Sequence, residues 1–116
     1  MNTGAGRKLG RPTGHRFQML RNMATSLLHY EKIETTKAKA REASRLIDRL
    51  ITVAKAGDLN ARRRVAKDLK NPAVKAKLFD VIAPRYKERQ GGYTQFVRLG
   101  PRLSDGAEIG ILKLIA

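Results

Sequence analysis

The sequence predicts an α+β fold with four helices and three short strands, on three observations. Apolar side chains recur at helical spacing in four separate stretches, three other stretches lose that period, and no linker or internal repeat divides the chain. The 116 residues suffice for one domain, since a chain of this length buries roughly 65% of its unfolded surface. The expected organisation is an extended basic arm over residues 1–12 and one globular domain over residues 13–116.

Residues 1–12 hold three glycines, a proline and, after Met1, only one large apolar side chain, Leu9, so they cannot build a core of their own and order only on a partner. The first helix starts at Thr13 or Gly14, with Thr13 able to cap, and runs to about Leu28 or His29. Met19, Leu20, Met23, Ala24, Leu27 and Leu28 form its apolar stripe; Arg16, Arg21, Asn22, Thr25 and His29 fall off it and face anions. Tyr30 to Thr36 loses the period, and its Ile33 and paired threonines favour a strand; Thr35 or Thr36 can cap the second helix.

From Lys37, the set Ala40, Ala43, Leu46, Ile47, Leu50, Ile51 and Ala54 keeps helical spacing until Gly57, which suits a left-handed stop. The polar face of this second helix carries Lys37, Lys39, Arg41, Arg45, Arg49 and Lys55, partly offset by Glu42 and Asp48. Asp58 caps a third helix through Leu69, on which Arg62, Arg63 and Arg64 sweep about 200° of circumference and cannot share one surface. Asn71 and Pro72 restart the chain as cap and first-turn proline, and Val74, Leu78, Val81 and Ile82 form a fourth stripe that Pro84 ends. Gly91 and Gly92 break the chain before a strand over Tyr93 to Leu99, and Gly100 to Gly106 supply a loop. The last strand, Glu108 to Ile115, is apolar on both faces and therefore central or covered.

Charge narrows the function. The 25 Lys and Arg against 10 Asp and Glu leave a net charge of +15, which calls for a polyanionic partner, by default a nucleic acid. No stretch approaches the ~18 apolar residues of a membrane span, and the absence of Trp weakens an interfacial membrane role. With no cysteine, there is no disulfide, thiolate metal site or thiol nucleophile, which suits a cytoplasmic setting. The basic, acid-free opening resembles a transit peptide in composition, but the regular stripe of the first helix favours a segment that packs permanently.

An enzyme is not expected. His15 and His29 sit at opposite ends of one helix with no acid between them, and the carboxylates lie at the spacing of surface pairs with Lys or Arg. No motif calls for a metal or a cofactor. By contrast, Arg7, Lys8, Arg11, Arg16 and Arg21 lie in a stretch of thirty residues without a carboxylate, so nothing local pairs with them and their forks can engage phosphates. His15 and Asn22 complete this first set. Arg85, Tyr86, Arg89, Gly91, Gly92 and Tyr93 form a second, in which glycines admit a phosphate close to the backbone and the tyrosines could stack on bases or pack against the core.

The order of motifs resembles the bacterial large-ribosomal-subunit protein family number seventeen. The resemblance is carried by Gly6-Arg7-Lys8-Leu9-Gly10-Arg11-Pro12, His15-Arg16, Leu20-Arg21-Asn22-Met23-Ala24, Ile33-Glu34-Thr35-Thr36, Lys39-Ala40-Arg41-Glu42, Ala83-Pro84-Arg85-Tyr86 and Arg89-Gln90-Gly91-Gly92-Tyr93-Thr94. Asn2-Thr3-Gly4-Ala5 stands where the family usually opens with Arg-His, and residues 102–108 depart from its more basic turn. The resemblance implies helices packed on a small three-stranded mixed sheet and a basic arm entering ribosomal RNA. It also implies a place on the solvent side of the large subunit beside other ribosomal proteins.

The expectation is then a non-catalytic ribosomal RNA-binding protein of the large subunit, supporting assembly and translation, with neighbouring ribosomal proteins as its other partners. Its RNA-facing residues would be Arg7, Lys8, Arg11, His15, Arg16, Arg21, Asn22, Lys37, Lys39, Arg85, Tyr86, Arg89, Gly91, Gly92 and Tyr93. The alternative is a small chromosome-organising DNA-binding protein of similar size and charge, which would need a dimer face or recognition helix that the sequence does not offer.

Overall fold

Helix α2 (Lys37–Ala54) is the element against which the others pack in the computed structural model, which describes residues 13–116. Its stripe is buried along its whole length, from Ala40 through Leu46, Ile47, Leu50 and Ile51 to Ala54. The helix starts where Thr36 Oγ1 accepts the Lys39 N–H at 3.3 Å, satisfying a donor that the helix itself leaves free. It stops before Gly57, which adopts φ +70°, a conformation open to glycine at little cost.

Helix α1 (Thr13–Tyr30) lies against α2 through Leu20, Ala24, Leu27 and Leu28, with Met19 and Met23 half-buried at the margin. Its end is built from several parts. Glu31 takes the left-handed conformation at φ 66° and its N–H donates to the Leu27 carbonyl at 2.7 Å. Lys77 donates to the His29 carbonyl at 2.8 Å, placing a cation at the negative end of the helix. Helix α3 (Leu59–Ala66) is capped by Asp58, whose Oδ1 accepts the Ala61 N–H at 2.8 Å, and it buries Ala61 and Val65.

The fourth stretch departs from expectation. Helix α4 (Pro72–Lys77) is capped by Asn71 as the sequence predicts, but the chain passes through a π-helical turn (Leu78–Ile82) into α5 (Ala83–Arg85), so Pro84 does not end it. The reason is steric. An α-helical Pro84 would lack its N–H and press its ring on the carbonyl four residues back, whereas the wider turn before it bonds the Ala83 N–H to the Leu78 carbonyl, five residues back. The buried positions accordingly advance by fours, through Val74, Leu78, Ile82 and Tyr86, and Val81, expected in the stripe, is exposed.

The three strands are β1 (Lys32–Thr36), β2 (Thr94–Pro101) and β3 (Glu108–Leu114), in the order β1-β3-β2. The two-faced β3 is the central strand, as its composition predicts. The sheet is wholly antiparallel and not mixed: β2 and β3 form a hairpin, and β1 pairs with the other edge of β3, so the two like-directed strands never touch. The inner face brings Ile33, Phe96, Leu112 and Leu114 to the helices. Gly110, also on this face, is required by close approach. A Cβ there would collide with the Val97 carbonyl and the Phe96 ring, which lies over it. The β2–β3 loop is tied to itself, with Arg102 donating two hydrogen bonds to Asp105 at 2.9 and 2.6 Å.

Candidate nucleic-acid interface

One end of the molecule gathers several of the basic and amide side chains singled out in the sequence. The amphipathic phase of α1 turns His15, Gln18 and Asn22 away from the core, and β1 brings the chain back beside them before Thr36 starts α2. Together with Lys39 they line a groove of about 610 Å³, floored by Met19, Met23 and Ile33. A second groove of about 500 Å³ adjoins it through Lys39 and is lined by Lys37, Arg41, Arg102 and Glu108. The two carboxylates there are Glu34 and Glu108, of which Glu108 is engaged by Arg98 and by Lys37 at 3.8 Å. Lys39 and Arg41 have no carboxylate partner among the described residues, which leaves positive charge in an open trough suited to following an anionic backbone.

Other predicted residues are placed differently. Arg16 is only 1% exposed, and its Nη2 donates to Glu42 Oε1 at 2.7 Å, so it lies in the interior and not on the exposed face of α1 that the sequence assigns to it. It lies four residues before Leu20 on the buried face of α1, and Glu42, itself buried on α2, supplies the charge that lets it stay there. Arg21 donates from Nε to Asp68 at 2.9 Å and is half-exposed.

The second set is mostly framework. Tyr86 and Tyr93 are buried, with ring centroids 5.2 Å apart, so neither can stack on a base. The Tyr86 hydroxyl donates to the Ile115 carbonyl, and the Tyr93 hydroxyl lies 3.0 Å from Lys55 Nζ and 3.3 Å from the Thr52 hydroxyl. Burial raises the Tyr93 phenol, but the hydrogen bonds from Thr52 and Lys55 outweigh it and leave the group below its ordinary value. Arg85 grips Glu31 with both terminal nitrogens, at 2.6 and 3.2 Å, and with Lys77 beside it holds the Glu31 carboxyl down at about 2. Gly91 and Gly92, at φ 82° and 63°, turn the chain into β2. Arg89 is the one exposed cation of this set with no carboxylate partner among the described residues. Arg7, Lys8 and Arg11, with the whole expected arm, lie outside the described residues.

Arg41 and Arg102 were not among the predicted contacts. Arg41 stands four residues after Lys37, a spacing visible in the sequence, whereas Arg102 reaches this end only through the β2–β3 hairpin, which no local pattern encodes. Among the described residues there is no group of three His, Cys, Asp or Glu able to hold a metal ion, and no helix is long and apolar enough to cross a membrane.

Comparison with known proteins adds an independent line. A family model described as ribosomal protein L17 matches residues 19–115. The chain is 50% identical over 111 residues to a protein of Trichlorobacter lovleyi named large ribosomal subunit protein bL17, covering 96% of this chain and 90% of the relative. It is 54% identical over 109 residues to the protein of that name from Clostridium acetobutylicum, covering 94% and 96%. The corresponding protein of Clostridium botulinum is 52% identical over the same length, again covering 94% and 96%. These relatives are named as ribosomal proteins and not as enzymes, as the separated histidines and scattered carboxylates lead one to expect.

Proposed function

Because the chain belongs to the ribosomal protein L17 family, we propose that it is a structural constituent of the large ribosomal subunit that binds ribosomal RNA through the α1–α2 end, with the basic arm of residues 1–12 extending the contact. The observation that carries the RNA assignment is the convergence of His15, Asn22 and Lys39 on one groove, continued by Lys37 and Arg41 in the next. Lysine and arginine side chains there neutralise phosphates and release their condensed counterions. The amides of Gln18 and Asn22 offer hydrogen bonds that fix register on a folded strand.

The arm precedes the helix that carries His15, and its Arg7, Lys8 and Arg11 add three cations next to it in the sequence. Composition keeps this segment from packing alone, and its ordering cost is met on binding, in a crevice between RNA helices. Arg89 adds a separate cation. The setting of such a protein is the cytoplasm, on the ribosome, beside other large-subunit proteins.

The test is binding of the purified full chain to large-subunit ribosomal RNA across a salt series. Lys37→Gln combined with Arg41→Gln should weaken affinity and flatten the log–log salt dependence by about 1.5, the loss of two phosphate contacts. Unchanged affinity and slope would contradict the assignment. Sedimentation of the tagged protein with chromosomal DNA, and not with the large subunit, would favour the DNA-binding alternative.

A further inference from the structure

A third groove, of about 370 Å³, opens on another side of the molecule, between α1, α2 and α3. Its lining contains six cations, Arg16, Arg21, Arg45, Arg49, Arg64 and Lys67, against two carboxylates, Glu42 and Asp68. The carboxylates are already engaged: Glu42 accepts from Arg16 at 2.7 Å and from Arg45 at 3.3 Å, and Asp68 accepts from Arg21 at 2.9 Å. Arg49, Arg64 and Lys67 therefore surround the groove with no carboxylate partner among the described residues. More telling is Arg16 itself. It is 1% exposed, yet its Nε and Nη1 have no hydrogen-bond acceptor among the described residues.

A buried donor without an acceptor is costly, more so when the group is charged, so a fold that holds two on one guanidinium is suited to receive an oxygen acceptor there. The surrounding charge decides which kind. A neutral carbonyl would leave Arg49, Arg64 and Lys67 repelling one another, whereas an oxyanion answers both the free donors and the unbalanced rim. The rim side chains are long, exposed and able to rotate aside, while Glu42 fixes the guanidinium in place beforehand.

We infer that this groove is a phosphate site, in which one backbone phosphate of ribosomal RNA reaches between Arg49 and Arg64 and gives buried Arg16 an acceptor. The inference rests on the RNA-binding reading above but concerns a separate surface, so the two can fail separately. It makes the protein a bridge between two RNA segments, one at the α1–α2 end and one at this groove. Arg16 thus serves RNA from beneath the surface.

The experiment uses the full chain. Binding to large-subunit RNA is measured across a salt series for Arg49→Gln/Arg64→Gln, for Lys37→Gln/Arg41→Gln, and for Arg63→Gln, which removes an exposed cation of α3 outside the groove. The Arg16 Nε–H resonance is followed by NMR on adding an RNA fragment protected by the protein, or inorganic phosphate at matched ionic strength. The expected result is a slope about 1.5 lower for Arg49→Gln/Arg64→Gln, an unchanged slope for Arg63→Gln, and a saturable shift of the Arg16 resonance with RNA. An unchanged slope in Arg49→Gln/Arg64→Gln, with a reduced one in Lys37→Gln/Arg41→Gln, would overturn the groove and leave the first interface standing. No RNA binding by the unmodified chain would overturn both. An Arg16 shift with inorganic phosphate and none with RNA would overturn the RNA source, making the groove a site for the free ion.

Discussion

Removing the Arg16 charge leaves Glu42 buried with only Arg45, at 3.3 Å, to balance it. Breaking a buried pair from one side typically costs about 3–5 kcal/mol, because the orphaned charge stays out of water. Arg16→Met should lower stability by about that much in urea denaturation, and adding Glu42→Leu should restore a large part of it. Glu31 gives a second residue-level prediction. Its carboxyl is held at about 2 against an ordinary 4.5, chiefly by Arg85, so the pair stabilises the fold above pH 4.5 and that contribution is lost as pH falls towards 2. Glu31→Gln should therefore flatten this part of the acid-denaturation curve. At Gly110 the constraint is space: Gly110→Ala meets backbone at Val97 and should cost about 1–3 kcal/mol by thermal or urea unfolding.

Among the elements, α2 supplies the largest share of the core, and Leu50→Ala or Ile51→Ala should each cost about 2–5 kcal/mol without changing the helical signature. This helix was legible in the sequence because one uninterrupted period sets its buried face and because Thr36 and Gly57 mark its ends. The central place of β3 was legible for a related reason, its apolar residues on both faces. The π-helical turn was not. A 3.6-residue pattern assumes bonds four residues back, and the single widened turn ahead of Pro84 shifts Val81 outward while keeping Ile82 inside. Arg16 escaped for a different reason. Its charge marks it as a surface residue, and the partner that permits burial stands 26 positions later on another helix. The same holds for Tyr86 and Tyr93, whose burial depends on contacts that sequence spacing does not encode.

For the whole molecule, charge and fold pull in opposite directions. A net charge of +15 on 116 residues makes the free chain repel itself, so moderate salt should raise its urea midpoint while weakening its hold on RNA. Half of the ten carboxylates sit against cations within the fold: Glu31, Glu42, Asp68, Asp105 and Glu108 each engage at least one Lys or Arg. Among the cations left without a carboxylate partner in the described residues are Lys39 and Arg41 at the α1–α2 end and Arg49, Arg64 and Lys67 around the groove of α1, α2 and α3. The candidate surface was thus half legible. Its charge is visible in composition, but which cations are spent on the fold and which are left over depends on tertiary pairing. The most direct test is ultraviolet cross-linking of purified large subunits, with the cross-linked peptides mapped by mass spectrometry. RNA adducts at His15, Lys37, Lys39 or Arg41 are the predicted result; adducts confined to the outer face of the sheet, on Lys32, Gln95 and Lys113, would contradict it.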